Sequence, residues 1–176
     1  MHELDDLRTA RLRLTKIGPD DLDDLVHMYA DPKVMATLGG VRTAQQVAVY
    51  LEHQSAHWAL NGFGYWSARD LHTGRFVGRG GLRHATIEGR LEVEVGYGLL
   101  AEFWGRGLAT ELAREAVRVG FTELHLSELV CFTLSTNVAS RRVMEAVGFR
   151  YERDFTWAEL PHVLCRQRIG DYLSSR

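Results

Sequence analysis

The chain has 176 residues, of which 45% are hydrophobic and 25% are charged, a balance typical of a folded globular domain and unlike that of a disordered chain. Its 21 basic and 23 acidic residues give a net charge of −2 at pH 7, so no basic excess favours binding to nucleic acid. The start is acidic and unlike a secretion signal, and no apolar run approaches the roughly 18 residues that span a membrane. Cys131 and Cys165 form no CxxC motif, which argues against a disulfide scaffold or a cysteine zinc site. We therefore expect a single soluble domain in the cytoplasm, without nucleic-acid or membrane partners.

The first half of the chain predicts one strand, two helices and then three strands. In chain order these are a strand over 11–17, a helix opened by Gly18-Pro19 and ended by Asp31-Pro32, a mobile loop over 33–42, a helix from Thr43 to about Leu60, and strands over 63–70, 75–83 and 90–100. Thr43 and Gln46 match a capping box. The short connections at 72–74 and 88–89 favour an antiparallel meander.

The second half alternates helices and strands. The ranges are a helix over 107–121, a strand over 129–135, a helix over 137–147, and strands over 150–157 and 163–169. This order predicts a mixed α/β fold with helices on both faces of one sheet, and it excludes a barrel, a sandwich and a helical bundle.

The most informative segment is Glu92–Glu111, EVEVGYGLLAEFWGRGLATE, in which a strand is followed by a glycine-containing loop and an amphipathic helix. Gly105 and Gly107 allow close approach to the free N–H groups at the helix start, which together make an anion site suited to a pyrophosphate. Arg106 adds a positive charge at its rim. The alternative is a glycine-rich turn that binds nothing.

Two other patterns resemble known sites only in part. Gly96 to Ala101 matches the dinucleotide pattern GxGxxA, but four residues separate it from the helix that this motif should enter at once. His53 and His57 are spaced as in HExxH, but Gln54 replaces the glutamate and no third ligand is evident, so we expect no metal.

The segment from Trp104 to Glu111 resembles the acyl-CoA pyrophosphate loop of the GNAT superfamily of N-acetyltransferases, Q/R-x-x-G-x-G/A, with Trp104 departing from the Q/R position. TARLRLTKIGPDDLDDLVHMYADPKV near the start, EVEVGYGL, and STNVASRRVMEAVGF over 135–149 resemble the branch that acetylates ribosomal-protein N-termini (alanine or serine). The resemblance runs in register from about Thr9, over a core of about 9–170. It implies one GNAT domain with a mostly antiparallel sheet of six to seven strands and a splayed, bulged strand at the acyl-CoA site.

The resemblance also implies where acetyl-CoA is held. Backbone groups near the bulge, for which Gly96 and Gly98 are candidates, would bind the pantetheine arm and the thioester carbonyl. The implied coenzyme-binding residues are Leu99, Leu100, Ala101, Trp104, Gly105, Arg106, Gly107, Leu108, Ala109, Thr110, Asn137 and Arg142. For Asn137 the alternative is helix capping alone, and for Arg142 it is a solvated position.

The candidate catalytic residues are Ser140, implied by the resemblance, and Glu94, chosen from its position on the strand. Ser140 matches a serine proposed in this branch to protonate the departing thiolate, and Met144 stands where many members have a tyrosine. Glu92 and Glu94 lie on one face of a strand, and Glu94 could accept the amine proton through a water, or could be a solvent-facing or ion-paired carboxylate.

The chain is thus identified as an acetyl-CoA-dependent N-acetyltransferase that works by direct transfer, without a metal. Its acceptor would be a protein N-terminal amine or a small-molecule amine, in a pocket shaped by residues 33–42 and the final strands. A homodimer through C-terminal edge strands is possible. The alternative function is a non-catalytic acyl-CoA-binding regulator on the same fold.

Overall fold

Eight strands form one sheet in residues 4–174, the part of the chain that the computed structural model describes. They are β1 (Asp6–Arg8), β2 (Leu12–Lys16), β3 (Tyr65–Asp70), β4 (Phe76–Ile87), β5 (Arg90–Leu99), β6 (Glu128–Leu134), β7 (Arg150–Trp157) and β8 (Leu160–Arg168). Their spatial order is β1-β2-β3-β4-β5-β6-β8-β7, and every neighbouring pair is antiparallel except β5 and β6. The predicted mixed, mostly antiparallel sheet is confirmed.

Six helices connect and flank these strands. They are α1 (Leu22–Ala30), α2 (Pro32–Met35), α3 (Ala44–Asn61), α4 (Leu108–Arg118), α5 (Val138–Val147) and α6 (Ile169–Ser174), with a π-helical turn over Val119–Glu123 after α4. The predicted capping box is present at α3, where Thr43 Oγ1 accepts from the Gln46 N–H and Gln46 Oε1 accepts from the Thr43 N–H. Before α1, the Asp21 carboxylate accepts from the Gly18 N–H at 3.0 Å.

Three short elements were missed from the sequence. β1 has only three residues, too few to show an alternating pattern, and it raises the count from the expected six to seven strands to eight. Asp31-Pro32 ends α1 as predicted but also starts α2, because the Asp31 carboxylate caps the Lys33 N–H and proline suits a first helical position. α6 follows β8 without a break, so no turn residue marks its start.

The two faces of the sheet carry different helices. A Cβ added at Gly80 of β4 would lie 2.5 Å from Leu112 Cδ2 of α4. A Cβ added at Gly98 of β5 would instead lie 3.0 Å from Met28 Cε of α1 and 2.9 Å from Leu38 Cδ1. We call these the α4 face and the α1 face.

The parallel seam between β5 and β6 is in register at one pair, Glu94 and Val130. Beyond that pair the strands separate, which confirms the splayed strand expected at the acyl-CoA site. The expected bulge at Gly96 and Gly98 is wrong, because the β4–β5 ladder keeps one register from Gly78↔Leu99 to Ile87↔Arg90. Gly96 has a steric role instead: a Cβ there would overlap the Tyr65 hydroxyl.

Within residues 4–174, no helix combines the length and the apolar character that crossing a membrane requires.

Candidate active site

The open part of the β5–β6 seam exposes backbone groups at the end of β5. The Leu100 N–H donates to the Val77 carbonyl of β4 at 2.9 Å, so strand alternation turns the N–H and C=O of Leu99 toward β6. The Leu99 carbonyl accepts from Trp104 Nε1 at 2.9 Å, which leaves the Leu99 N–H facing the cleft. Of the backbone groups implied by the resemblance, Leu99 is thus placed to bind a ligand, whereas the Leu100 N–H is engaged within the sheet.

The residues after Leu100 lead directly to the predicted anion site. Ala101 begins a 3-10 turn that ends at Phe103, and the loop continues through Trp104 to the left-handed Gly107 that precedes α4. Gly105 and Gly107 have φ of +72° and +75°, a conformation that glycine adopts at little cost. The first intrahelical bond runs from the Glu111 N–H to the Gly107 carbonyl, so the N–H groups of residues 108–110 are left for a ligand.

Those three residues are Leu108, Ala109 and Thr110, and the Arg106 side chain beside them lies over the Phe103 ring, 5.5 Å from its centroid. The N-terminal end of α4 therefore has the donors and the positive end of the helix dipole that a pyrophosphate requires. Exposed Trp104, the departure from the family pattern, acts here as a donor that fixes the end of β5.

The start of α4 is held by hydrogen bonds and an ion pair to residues before β2, which the sequence did not reveal. Glu111 Oε2 accepts from Arg11 Nε at 2.7 Å, while its Oε1 accepts from the Thr9 hydroxyl at 2.6 Å and from the Arg11 N–H at 2.7 Å. Arg11 Nη1 also donates to the Arg106 carbonyl at 2.8 Å. Burial works against the charged Glu111, but these bonds outweigh it and lower its pKa. The carboxylate thus stays ionised and ties the loop to β2.

The start of α5 carries the second predicted group. Asn137 Oδ1 accepts from the Ser140 N–H at 3.1 Å, so Asn137 caps the helix, and its Nδ2 donates to Thr133 Oγ1 at 3.0 Å. A side-chain amide has two N–H groups, so one remains for a ligand. Ser140 is half-buried one turn into α5.

Tyr97 of β5 reaches across the seam to Ser140 and was missed as a functional residue. Its hydroxyl oxygen lies 3.0 Å from Ser140 Oγ, and the Tyr97 hydroxyl also lies 3.2 Å from the Ser140 carbonyl oxygen. Burial raises the pKa of the Tyr97 phenol well above its usual value, so it remains a proton donor. Its place between two strand glycines, Gly96 and Gly98, was the available signal.

Arg142 lies elsewhere. It is exposed and, with Tyr151 and Cys165, lines a groove of about 680 Å³ between α5 and the β7–β8 hairpin. Two helical positions separate it from Ser140, which puts the two side chains on different sides of α5. The structure therefore does not bring Arg142 together with the other predicted coenzyme residues.

The two predicted carboxylates do share one face of β5, and both are buried in ion pairs. Arg83 Nε donates to Glu94 Oε2, and Arg166 Nη2 donates to Glu92 Oε1 at 2.9 Å. Of the alternatives considered for Glu94 from the sequence, the structure thus shows the ion-paired carboxylate. Its other oxygen, Oε1, has no hydrogen-bond partner among residues 4–174.

The histidines of the HExxH-like spacing and the two cysteines form neither a metal site nor a disulfide within residues 4–174. His57 Nδ1 lies 2.9 Å from the Phe63 carbonyl oxygen and Nε2 accepts from the His84 N–H at 3.1 Å, so both ring nitrogens are engaged, while His53 is exposed. No cluster of metal-ligating side chains occurs in the described range 4–174. Cys131 and Cys165 are far apart in sequence but are cross-strand neighbours, both free thiols, and burial raises the pKa of each.

Comparison with known proteins gives three consistent matches. The acetyltransferase (GNAT) domain family matches residues 11–150. FsC-acetyl coenzyme A-N(2)-transacetylase of Aspergillus fumigatus is 33% identical over 161 residues, covering 85% of this chain and 66% of that protein. The aminoglycoside acetyltransferase AAC(6')-Ib, solved with coenzyme A, superposes with a TM-score of 0.78 at 20% identity over 94% of this chain and 99% of that chain, and another of its structures holds acetyl-CoA.

The ribosomal-protein-S5-alanine acetyltransferase of Vibrio fischeri superposes with a TM-score of 0.76 at 17% identity, over 95% of this chain and 98% of that chain, which shows the shared fold. The family model and the Aspergillus relative favour an enzyme over a non-catalytic coenzyme-binding protein. The chain belongs to the GNAT acetyltransferase family, and it is an N-acetyltransferase that takes its acetyl group from acetyl-CoA.

Proposed function

We propose that this enzyme transfers the acetyl group directly from acetyl-CoA to a primary amine in a ternary complex, with the reaction centred on the cleft between β5 and β6. The observation that carries the proposal is the convergence of the Leu99 N–H, the Tyr97–Ser140 pair and the start of α4 at this cleft. These are a hydrogen-bond donor, a proton donor and an anion site.

Each group has a distinct task in this proposal. The N–H groups of residues 108–110 bind the pyrophosphate, and Asn137 binds the pantetheine arm through its remaining N–H. The Leu99 N–H donates to the thioester oxygen, where negative charge develops as the amine attacks. Arg142, on the other side of α5, is assigned no contact with the coenzyme.

The proposed reaction balances in bonds and in protons. The amine nitrogen forms a bond to the acetyl carbon, the carbon–sulfur bond breaks, and the electron pair leaves with the thiolate. Ser140 gives its proton to the thiolate and recovers one from Tyr97, which is reprotonated from solvent. The amine loses one proton through a water to Glu94 Oε1, while Arg83 holds Oε2, and Glu94 then releases that proton to solvent. The products are the N-acetyl amine and free coenzyme A.

The acceptor is a protein N-terminal amine or a small-molecule amine, in the cytoplasm. It approaches on the α1 face, because the coenzyme groups occupy the α4 face. The experiment is a panel of N-terminal peptides, polyamines, amino sugars and amino acids assayed for free-thiol release from acetyl-CoA. Release with one class of amine, and acetylated product by mass spectrometry, supports the proposal; coenzyme binding without release for every amine contradicts it.

A further inference from the structure

Arg79 of β4 is a buried cation on the α1 face, with 7% of its surface exposed. Its one side-chain hydrogen bond within residues 4–174 runs from Nε to the Tyr29 hydroxyl at 3.0 Å. The guanidinium carbon lies 5.7 Å from the centroid of the Tyr29 ring and 5.1 Å from that of Tyr65. In the described chain no carboxylate is within ion-pair distance of it.

The neighbouring buried arginines are different. Arg83, four residues along the same strand, is paired with Glu94, and Arg166 is paired with Glu92, Glu128 and Glu152. Taking an unpaired charge out of water is costly, and contact with aromatic rings offsets only part of that cost. An arginine buried among tyrosines without a counter-ion therefore has an unused capacity for an anion.

Its two terminal nitrogens make no hydrogen bond to residues 4–174, so their N–H groups are free to donate to an anion. Ser67, the cross-strand partner of Arg79 on β3, has a buried Oγ with no hydrogen-bond partner in this part of the chain. The Tyr50 hydroxyl is likewise buried and unpartnered within the described residues.

A second cation, Arg42, contacts one of the two tyrosines that Arg79 contacts. The Arg42 guanidinium carbon is 5.0 Å from the Tyr29 ring centroid and 5.4 Å from that of Tyr50. Tyr29 is thus in contact with both arginines, and its hydroxyl orients the buried one. The surroundings of Tyr29 therefore carry two positive charges, those of Arg79 and Arg42.

The position of Arg79 relates it to the acetyl group. Arg79 is paired with Gly98 across the β4–β5 ladder, and a Cβ added at Gly98 would lie 3.5 Å from the guanidinium carbon. Gly98 immediately precedes Leu99, whose N–H faces the cleft. An amine that reaches the thioester from the α1 face therefore brings its substituents next to Arg79.

We propose that the acceptor is an amine that also carries an anionic group, in the first place a carboxylate, and that Arg79 binds this group. A guanidinium matches a carboxylate through two parallel hydrogen bonds, and the charge of arginine is permanent in proteins. Arg79 is thus a specificity-determining residue. This inference rests on the proposed function, since it names the substrate class of the same site.

The experiment compares matched acceptors. Glycine, β-alanine and 4-aminobutyrate are assayed against their amides and against aminoalkyl phosphonates of equal length, with kcat/KM corrected for the fraction of neutral amine. We expect at least one acidic acceptor to exceed its amide by about tenfold or more in kcat/KM, the usual value of a charge-assisted hydrogen bond. The phosphonates show whether the anion is a carboxylate or a phosphate-like group.

The variants are Arg79→Met, Arg79→Lys as the conservative replacement, and Arg13→Met as a control at an exposed, solvent-facing arginine. Arg79→Met should abolish the preference for acidic acceptors over their amides while keeping activity on the amides. Arg79→Lys should keep part of this preference, and Arg13→Met should keep all of it. Calorimetric titration of the corresponding N-acetyl carboxylates gives a second readout that needs no turnover. If Arg79→Met does not fold, Arg79→Lys and the titration decide.

A wild-type enzyme that acetylates amides as well as acids, or a preference that survives Arg79→Met, overturns the inference and leaves the proposed function standing. Failure of every amine to release coenzyme A would contradict the proposed function, and binding of carboxylates by wild type but not by Arg79→Met would still support the anion site. Absence of carboxylate and phosphonate binding to wild type overturns it in either case.

Discussion

The hydroxyl groups of Tyr97 and Ser140 lie 3.0 Å apart across the open part of the β5–β6 seam. One is carried by strand β5 and the other by the first turn of α5, so this contact links the strand to the helix that follows β6. The phenol keeps its proton at any ordinary pH because burial raises its pKa. The pair is therefore a neutral source of protons beside the place where we expect the thiolate to leave.

Replacing Ser140 by alanine should lower kcat by about 10²-fold, the usual contribution of a positioned acid, with little change in KM for acetyl-CoA. Tyr97→Phe retains Ser140 and should cost less, since solvent can reprotonate the serine. Rapid-quench measurements of the chemical step are the appropriate assay. Equal kcat for Ser140→Ala and wild type, with chemistry rate-limiting, would assign the proton to solvent.

Replacing Gly107 by valine should abolish acetyl-CoA binding. Gly107 has φ of +75°, which a β-branched residue does not adopt readily, and the helix start it supports provides the pyrophosphate donors. Gly74→Val is the matched control, because Gly74 has φ of +69° and open space around it but lies in the β3–β4 turn. Calorimetry should show binding only for the control. Wild-type affinity in Gly107→Val would contradict the anion site.

Replacing Glu94 by glutamine should reduce kcat/KM at neutral pH by about tenfold or more, if Glu94 receives the amine proton. The loss should diminish at high pH, where the amine is already neutral. Because glutamine also weakens the pairing with Arg83, Arg83→Gln is measured in parallel to report that structural effect. A loss that is the same at every pH would point to positioning, and no loss would remove Glu94 from the mechanism.

Because the His57 ring is partly buried, we expect the free energy of unfolding to depend on pH. Burial lowers its pKa below the usual value of about 6.5, so the unfolded chain binds more protons than the folded one as pH falls through that range. The stability that His57 contributes is therefore complete above about pH 6.5 and decreases below it. Urea unfolding of wild type and His57→Gln from pH 5 to 8 should show a difference that shrinks toward acid. A constant difference would show that His57 does not titrate on unfolding.

The order of the long elements could be predicted from the sequence because each has a strong period or a cap. Thr43 and Gln46 fixed the start of α3, and Gly107 the start of α4, through local chemistry alone. The backbone conformation of the loop could be predicted for the same reason, since Gly105 and Gly107 are the residues that adopt a positive φ at little cost.

Contacts between distant segments could not be predicted. Arg11 and Glu111 are 100 residues apart, and Cys131 meets Cys165 only because β6 and β8 are neighbours. Gly96 and Gly98 suggested a bulge, whereas on the α1 face the small size of Gly96 accommodates Tyr65 and that of Gly98 accommodates Met28 and Leu38. Nothing local distinguishes an unpaired arginine such as Arg79 from a paired one.

The sheet is fastened at one end of its parallel seam and free at the other. At the fastened end, Arg166 of β8 bonds Glu92 of β5 at 2.9 Å and Glu128 of β6 at 2.9 Å, beside the one registered pair, Glu94 and Val130. The protein thus has two half-sheets joined by ion pairs at one end of the seam and separated at the other. If acetyl-CoA binds in the separated part, as we propose, the free energy of its binding also adds to the cohesion of the two half-sheets, and product release removes that contribution.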